Sequence, residues 1–162
     1  MNHAESKLQQ QCVAWFRAQY PQYAMLLTHP ANEGNGNRVT GAIHKAEGTV
    51  PGVPDLILFL PAYPGLSYVI SKWTEVHGLG IELKTSKGRQ SQQQKDFQRM
   101  FEAAGYAYVV IRSFDEFRVY VTSYMLASFE GVRDNITEAY KELTAEQEAR
   151  EKEHFMKVIG KK

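Results

Sequence analysis

Two residues in one short apolar segment carry side chains suited to hydrolytic chemistry. Glu82 and Lys84 stand two positions apart in the sequence GIELK, residues 80–84. Side chains two apart on a strand point to the same face, so this spacing predicts a carboxylate beside an ammonium group, with Ile81 and Leu83 turned into the core. Alone, such a pair is more typical of a solvent-facing ion pair on an edge strand.

A second acid favours a functional interpretation. Asp55 directly follows the sequence GVP at the start of an apolar segment, where core packing requires no acid. Two carboxylates from neighbouring strand ends would form a site for Mg²⁺ or Mn²⁺, because Mg²⁺ prefers one or two carboxylates together with waters and substrate phosphate. The backbone carbonyl of Leu83 would add a further oxygen ligand.

Lys84 would complete a catalytic group with these acids. Its ammonium would lie near the metal-bound water, where it favours the nucleophile or balances the charge that develops on the phosphorus group. The predicted chemistry is hydrolysis of a phosphodiester bond, with Asp55, Glu82 and Lys84 at the centre of the site.

Two further residues have both a functional and a structural interpretation. Glu5 lies three residues before Leu8 on the inward side of a predicted helix, where it would supply a third acid, directly or through a metal-bound water. It would equally favour the positive end of that helix. Gln94 would orient the attacking water, yet with Ser91 it also satisfies a helix capping box.

The first half of the chain predicts the elements that carry these residues. Apolar residues at helical spacing predict a helix over residues 6–20, closed by Pro21, and a short strand follows over residues 23–28. Residues 31–54 form a glycine-rich connection long enough to embrace a substrate. An interior strand covered on both faces is predicted over residues 55–60. Residues 61–79 form an excursion, with a further strand proposed at Tyr68 to Ile70. Another strand is predicted over residues 80–85.

The second half continues with alternating helices and strands. A helix begins near Ser91 and ends at Gly105, with a buried side formed by Phe97, Phe101 and Ala104. Residues 106–112 predict a strand. Ser113 and Glu116 predict a capping box for a third helix, whose inward residues are Phe117, Val121 and Tyr124. One more helix is indicated by Ile136, Tyr140 and Leu143, with residues 146–153 thinning into a frayed tail.

The bulk properties exclude several classes of protein. The chain has 162 residues, a net charge of +1 and one cysteine, Cys12, so an intramolecular disulfide is excluded. No apolar run approaches the roughly 20 residues that cross a bilayer, and the polar start lacks a secretory signal, so we expect a cytoplasmic protein without a membrane role. His29, His44 and His77 lack the spacing of zinc ligands, and we expect structural roles for them.

Three motifs together resemble a known family. GVPDL at residues 52–56, GIELK at residues 80–84, and GRQSQQQKDF at residues 88–97 followed by AAGYAYVV are similar to the VRR-NUC branch of the PD-(D/E)xK nuclease superfamily. The resemblance runs from Glu5 to about Thr122 and includes HPANEGN at residues 29–35. It departs from the family in the excursion over residues 61–79, which is longer than the usual link.

The resemblance implies a fold and a set of residue roles. The fold is α/β: a restriction-endonuclease-like core with a central mixed β-sheet flanked by helices in the order αβββαβ, and an extra C-terminal helix. Residues 1–125 would form the nuclease domain and residues 126–162 a charged helical extension. The implied metal ligands are Glu5, Asp55 and Glu82, the catalytic lysine is Lys84, and Gln94 matches the glutamine of the family's S-x-x-Q pattern.

The resemblance also implies a substrate. Members of this stand-alone size resemble Holliday junction resolvases of phages and bacteria, so we expect a structure-selective DNA endonuclease in a bacterial cell or phage-infected host. We expect a homodimer, because symmetric cutting of two strands needs two sites related by a two-fold axis. The expected nucleic-acid contacts are Asn32, Arg38, Lys45, Lys87 and Arg89.

Three alternatives stay open at the level of sequence. A restriction-like or nicking nuclease would have no preference for junctions. A nucleic-acid-binding protein could keep the fold without the chemistry, although two acids held without a metal would repel phosphate. A structural or scaffold protein would bind no divalent metal at all.

Overall fold

The computed structural model describes residues 3–30, 43–63, 75–128 and 130–159. The chain divides into two compact units, Met1–Ser128 and Phe129–Lys162. The first unit contains α1 (His3–Gln19), a 3₁₀ helix (Pro21–Leu26), β1 (Leu27–Thr28), β2 (Leu56–Leu58), β3 (Leu79–Leu83), α2 (Gln92–Ala103), β4 (Ala107–Ile111) and α3 (Phe114–Ala127). The second unit contains α4 (Glu130–Ile159).

The four strands form one mixed sheet in the order β1-β2-β3-β4, which confirms the mixed sheet that the family resemblance implied. β2 pairs antiparallel with both β1 and β3, whereas β3 and β4 run parallel, with α2 as the connection between them. All residues of β2 and β3 are buried. Continuous apolar strands of this kind belong in the interior of a sheet, so the interior strand predicted over residues 55–60 is confirmed for Leu56–Leu58. Phe59 lies outside the strand and is exposed.

Helices α1 and α3 pack together and bury the inward residues that the sequence indicated. Cys12 and Phe16 of α1 are fully buried, and so are Phe117 and Tyr124 of α3. The Tyr124 hydroxyl donates a hydrogen bond of 2.6 Å to the backbone carbonyl of Leu60, so this buried phenol has a partner. Burial raises its pKa well above the usual range.

The strand predicted over residues 23–28 is mostly wrong. Pro21–Leu26 form a 3₁₀ helix, and only Leu27–Thr28 join the sheet. Pro21 stands in the first turn, where its fixed φ suits a helix and its missing N–H costs no hydrogen bond. The Tyr23 N–H then donates to the Tyr20 carbonyl at 2.9 Å, which closes the turn.

Two details at the helix ends also differ from the predictions. Ala104, expected on the buried side of α2, is exposed at its C-cap, while Phe97 and Phe101 are half-buried. Ser113 caps α3 by accepting from the Glu116 N–H at 3.2 Å, but the Glu116 carboxylate accepts the N–H of Arg112 at 2.7 Å. The predicted capping box is therefore formed in one direction only.

The second unit is a single helix of 30 residues. The frayed tail predicted over residues 146–153 is wrong, because these residues are helical. Ion pairs one turn apart join Glu146 to Arg150 at 2.7 Å and Glu153 to Lys157 at 2.6 Å, and such pairs support a solvated helix. Across the described ranges, no helix is both long and apolar enough to span a bilayer.

Gly52 fixes the loop before Asp55 against the start of α2. Its φ is +88°, and a Cβ there would lie 2.5 Å from the Gln93 carbonyl carbon, which is backbone and cannot move aside cheaply. We expect Gly52→Ala to lower the free energy of unfolding by about 3 kcal/mol through backbone strain and overlap together. Urea denaturation measures this loss.

Gly48 provides the matched control for that substitution. It also has a positive φ, +97°, but a Cβ would meet nothing within 4 Å. Gly48→Ala should therefore cost about 1 kcal/mol from strain alone. Equal losses for the two variants would contradict a close contact between the Gly52 loop and α2.

Candidate active site

The site is built around Glu82, a carboxylate buried in the middle of the sheet. Its residue is 0% exposed. The Lys84 Nζ lies 2.6 Å from Glu82 Oε1, and the Gln94 side-chain amide donates to the same oxygen. The Tyr108 hydroxyl donates to Oε2 at 3.2 Å. The predicted adjacency of Glu82 and Lys84 is confirmed, and the pair is not the solvent-facing ion pair of an edge strand.

Burial dominates the electrostatics of Glu82. It raises the pKa of this carboxyl to about 7, even though the hydrogen bond from Lys84 acts in the opposite direction. The charge of Asp55 raises the pKa further. One lysine therefore does not compensate the negative charge that these two acids would carry together.

Asp55 reaches the site from the residue just before β2. The last residue pair between β2 and β3 at this end is Leu56 with Ile81, so the Leu83 N–H has no partner residue on β2. The Asp55 Oδ2 accepts that N–H instead, at 2.7 Å. His29 Nδ1 lies 2.7 Å from the Asp55 backbone carbonyl and holds the same residue from β1's side. Burial raises the pKa of Asp55, while the Leu83 hydrogen bond and the charge of Lys84 lower it.

Glu5 lies at the same end of the sheet, as expected of an acid on the inward side of α1. Its Oε1 accepts the backbone N–H of Thr85 at 3.2 Å, just past the end of β3. Its negative charge contributes to the raised pKa of Asp55. The structure thus brings Glu5 near Asp55, and its role as a metal ligand stays a prediction.

Gln94 combines the two interpretations that the sequence left open. Its Oε1 accepts the Ser91 N–H at 2.8 Å while the Ser91 hydroxyl accepts the Gln94 N–H at 3.2 Å, so the predicted capping box is confirmed. Its amide nitrogen donates to Glu82. The same side chain thus starts α2 and contacts the buried carboxylate.

Asp55 and Glu82 are the two carboxylates of this site that could hold a metal ion. Within the described part of the chain, no group of three or more His, Cys, Asp or Glu side chains is arranged to hold a metal ion. Mg²⁺ nevertheless binds through one or two carboxylates with waters and phosphate oxygens. Asp55 and Glu82 meet that requirement. The N–H and the carbonyl of one strand residue point to the same side of the strand. Because the Leu83 N–H donates to Asp55, the Leu83 carbonyl also faces the Asp55 side of β3.

The basic residues proposed to contact nucleic acid fall into two groups. Lys45, Lys87 and Arg89 are exposed, and Lys87 and Arg89 stand in the loop after β3. Arg112 holds that loop, because its Nη1 donates to the carbonyls of Thr85 at 2.8 Å and Gly88 at 2.7 Å. Asn32 and Arg38 lie outside the described residues, as does the strand proposed at Tyr68 to Ile70.

Tyr108 belongs to the site although its sequence context did not predict this. In the parallel register Tyr108 pairs with Gly80 and Val110 with Glu82, so Tyr108 and Glu82 side chains share a face. The alternation in YAYVVIR predicts that Tyr106, Tyr108 and Val110 lie on the face opposite to the buried residues of β4. It does not predict which residues of β3 they pair with. The structural role expected for His29 agrees with its bond to the Asp55 carbonyl.

The buried carboxyl predicts a dependence of stability on pH. With metal removed by EDTA, the folded protein binds the Glu82 proton more tightly than the unfolded chain between pH 4.5 and about 7. Stability therefore falls as pH rises through this window, by about 3 kcal/mol from Glu82 at 1.36 kcal/mol per pKa unit. Urea denaturation at several pH values measures the fall.

Glu82→Gln is the variant that isolates this effect, because an amide does not titrate. Its stability should fall less over the same range, with the remaining slope in the same direction from the raised pKa of Asp55. Identical slopes for Glu82→Gln and the parent protein would show that Glu82 is not desolvated in solution.

Comparison with known proteins identifies a shared fold. No protein-family model and no curated protein sequence matches the chain. Among solved structures, the chain is similar to one described as a VRR_NUC domain protein, with a TM-score of 0.62. The two are 21% identical, and the match covers 78% of this chain and 92% of that one. The mixed α/β fold of this chain is therefore similar to the fold of that protein.

Proposed function

We propose that this protein is a metal-dependent DNA endonuclease of the PD-(D/E)xK kind that hydrolyses phosphodiester bonds in branched DNA as a homodimer. The observation that carries the proposal is the convergence of Asp55 and Glu82, from neighbouring strands, beside the ammonium of Lys84. The shared fold with a VRR_NUC domain protein supports the same class of activity.

The charges of the site agree with a cationic cofactor and an anionic substrate. Burial raises the pKa of both Asp55 and Glu82, and a neighbouring acid adds to it in each case, Glu5 for Asp55 and Asp55 for Glu82. A divalent cation would relieve that cost. Asp55, Glu82 and the Leu83 carbonyl are the groups that would hold it. A bound Mg²⁺ or Mn²⁺ would supply Lewis-acid activation of water and of the phosphate oxygens.

The chain's own residues provide the remaining functions. The Lys84 ammonium, on a side chain that is 12% exposed, would balance the charge that develops on the phosphate. Gln94 donates a hydrogen bond to one oxygen of the Glu82 carboxylate. Exposed Lys87 and Arg89, in the loop fixed by Arg112, would contact the DNA backbone beside the reacting phosphate.

A substrate panel tests the proposal. The full chain would be incubated with a four-way junction, a flap, a linear duplex and single-stranded DNA, each with Mg²⁺, with Mn²⁺ or with EDTA. We expect metal-dependent cleavage that is fastest on branched DNA, and a dimer by light scattering. Equal rates on linear duplex and junction would defeat the structural preference, and no cleavage of any substrate would defeat the nuclease proposal.

A further inference from the structure

We infer that Tyr108 is a positioning residue that fixes the Glu82 carboxylate for metal binding. The inference rests on the proposed function, because it concerns the same site. Tyr108 donates its hydroxyl to Glu82 Oε2, whereas Lys84 and Gln94 contact Oε1. Two anchors on opposite oxygens hold the plane of a carboxylate that either anchor alone would let rotate.

The sheet topology brings Tyr108 to Glu82 from the neighbouring strand. Tyr108 belongs to β4, the neighbour of β3 on the side away from β2 and Asp55. Gly80 stands opposite Tyr108 in the parallel register, and a Cβ on Gly80 would lie 3.1 Å from the tyrosine ring. Because Gly80 has no side chain, the ring can lie over β3 and extend its hydroxyl to Glu82, two residues further on.

The hydroxyl of Tyr108 is itself oriented by its neighbours. A side-chain hydrogen bond with Gln90 lowers the pKa of the Tyr108 phenol, against the larger opposing effect of burial, while the hydroxyl itself donates to Glu82. Gln90 Nε2 also donates to Gln98 Oε1 at 2.9 Å, and Gln98 donates to Glu102 at 2.9 Å. This row of side chains ties the hydroxyl to α2.

The test compares Tyr108→Phe with Tyr106→Phe. Both substitutions remove one tyrosine hydroxyl, but Tyr106 lies just before β4 and its ring stacks on Phe101 at 4.3 Å. In the described part of the chain, Glu82 is bonded by the side chains of Lys84, Gln94 and Tyr108. Loss of a partner that orients a metal ligand typically costs 10- to 100-fold in metal affinity or activity. We therefore expect Tyr108→Phe to bind Mn²⁺ about tenfold more weakly by calorimetry, and to cleave DNA with a reduced kcat and an unchanged KM.

Each outcome has a distinct meaning. Tyr106→Phe should match the parent protein in Mn²⁺ affinity and kcat. A Tyr108→Phe variant that loses stability in urea but keeps both the parent Mn²⁺ affinity and the parent kcat would overturn the inference, because the hydroxyl would then only stabilise a buried acid. Failure of the parent protein itself to bind Mn²⁺ would overturn the proposed function, and the inference with it.

Discussion

Lys84→Ala is expected to reduce DNA cleavage by about 100- to 1000-fold while leaving DNA affinity nearly unchanged. Catalytic groups that stabilise charge or transfer protons in the transition state contribute factors of this size. The Lys84 ammonium lies 2.6 Å from Glu82 and is largely shielded from solvent, so no bulk cation replaces it. Single-turnover cleavage of a four-way junction with Mg²⁺ measures the rate, and fluorescence anisotropy with Ca²⁺ in place of Mg²⁺ measures the affinity.

Lys87→Ala is the matched control for this variant. Lys87 is exposed and stands three residues further along the same loop. Loss of the Lys87 charge should weaken DNA binding and make the binding constant less dependent on salt concentration. The single-turnover rate at saturating protein should not fall comparably. Full cleavage by Lys84→Ala, with Lys87→Ala equally unaffected, would show that the lysine beside Glu82 has been misassigned.

Asp55→Asn is expected to abolish the heat of Mn²⁺ binding and to lower cleavage by at least about 100-fold. The substitution removes the charge of one of the two candidate ligands. It leaves the fold intact, because the amide oxygen can still accept the Leu83 N–H that Asp55 accepts at 2.7 Å. Calorimetry with Mn²⁺ and a urea denaturation curve separate loss of the site from loss of the structure.

Asp96→Asn tests whether any neutralised acid would have the same effect. Asp96 is exposed on α2, where it accepts a hydrogen bond from Gln92 at 2.9 Å. This variant should retain the Mn²⁺ affinity and cleavage rate of the parent protein. If Asp55→Asn bound Mn²⁺ as tightly as the parent protein, Asp55 would not be a metal ligand. The proposed metal site formed by Asp55 and Glu82 together would then be wrong.

The residues whose environment depends on local periodicity were predicted well from the sequence. Alternation on β3 indicated that Glu82 and Lys84 share a face, and the S-x-x-Q spacing indicated the capping box of α2. Both relations involve neighbours along one element, so they depend on helix and strand geometry alone. The strand prediction over residues 23–28 was mostly wrong because Pro21, which was expected only to close the first helix, also begins a 3₁₀ helix.

The partners that come from other strands could not be predicted in this way. Tyr108 contacts Glu82 only because β4 pairs with β3 in one particular parallel register. A shift of one residue would turn the Tyr108 side chain to the opposite face of the sheet. The depth of Glu82 is likewise a tertiary property, since an acid in an apolar strand is compatible with either an exposed or a covered face.

The capping box of α2 restricts which amino acid can occupy position 94. Glutamate and glutamine serve equally well at the third residue of a helix that begins with serine. Here, however, the side chain that accepts the Ser91 N–H also offers its other end to the Glu82 carboxylate. Only an amide has an acceptor for one neighbour and a donor for the other, so a glutamate would set two carboxylates against each other. The choice of glutamine at the start of this helix is thus dictated by the sheet beneath it.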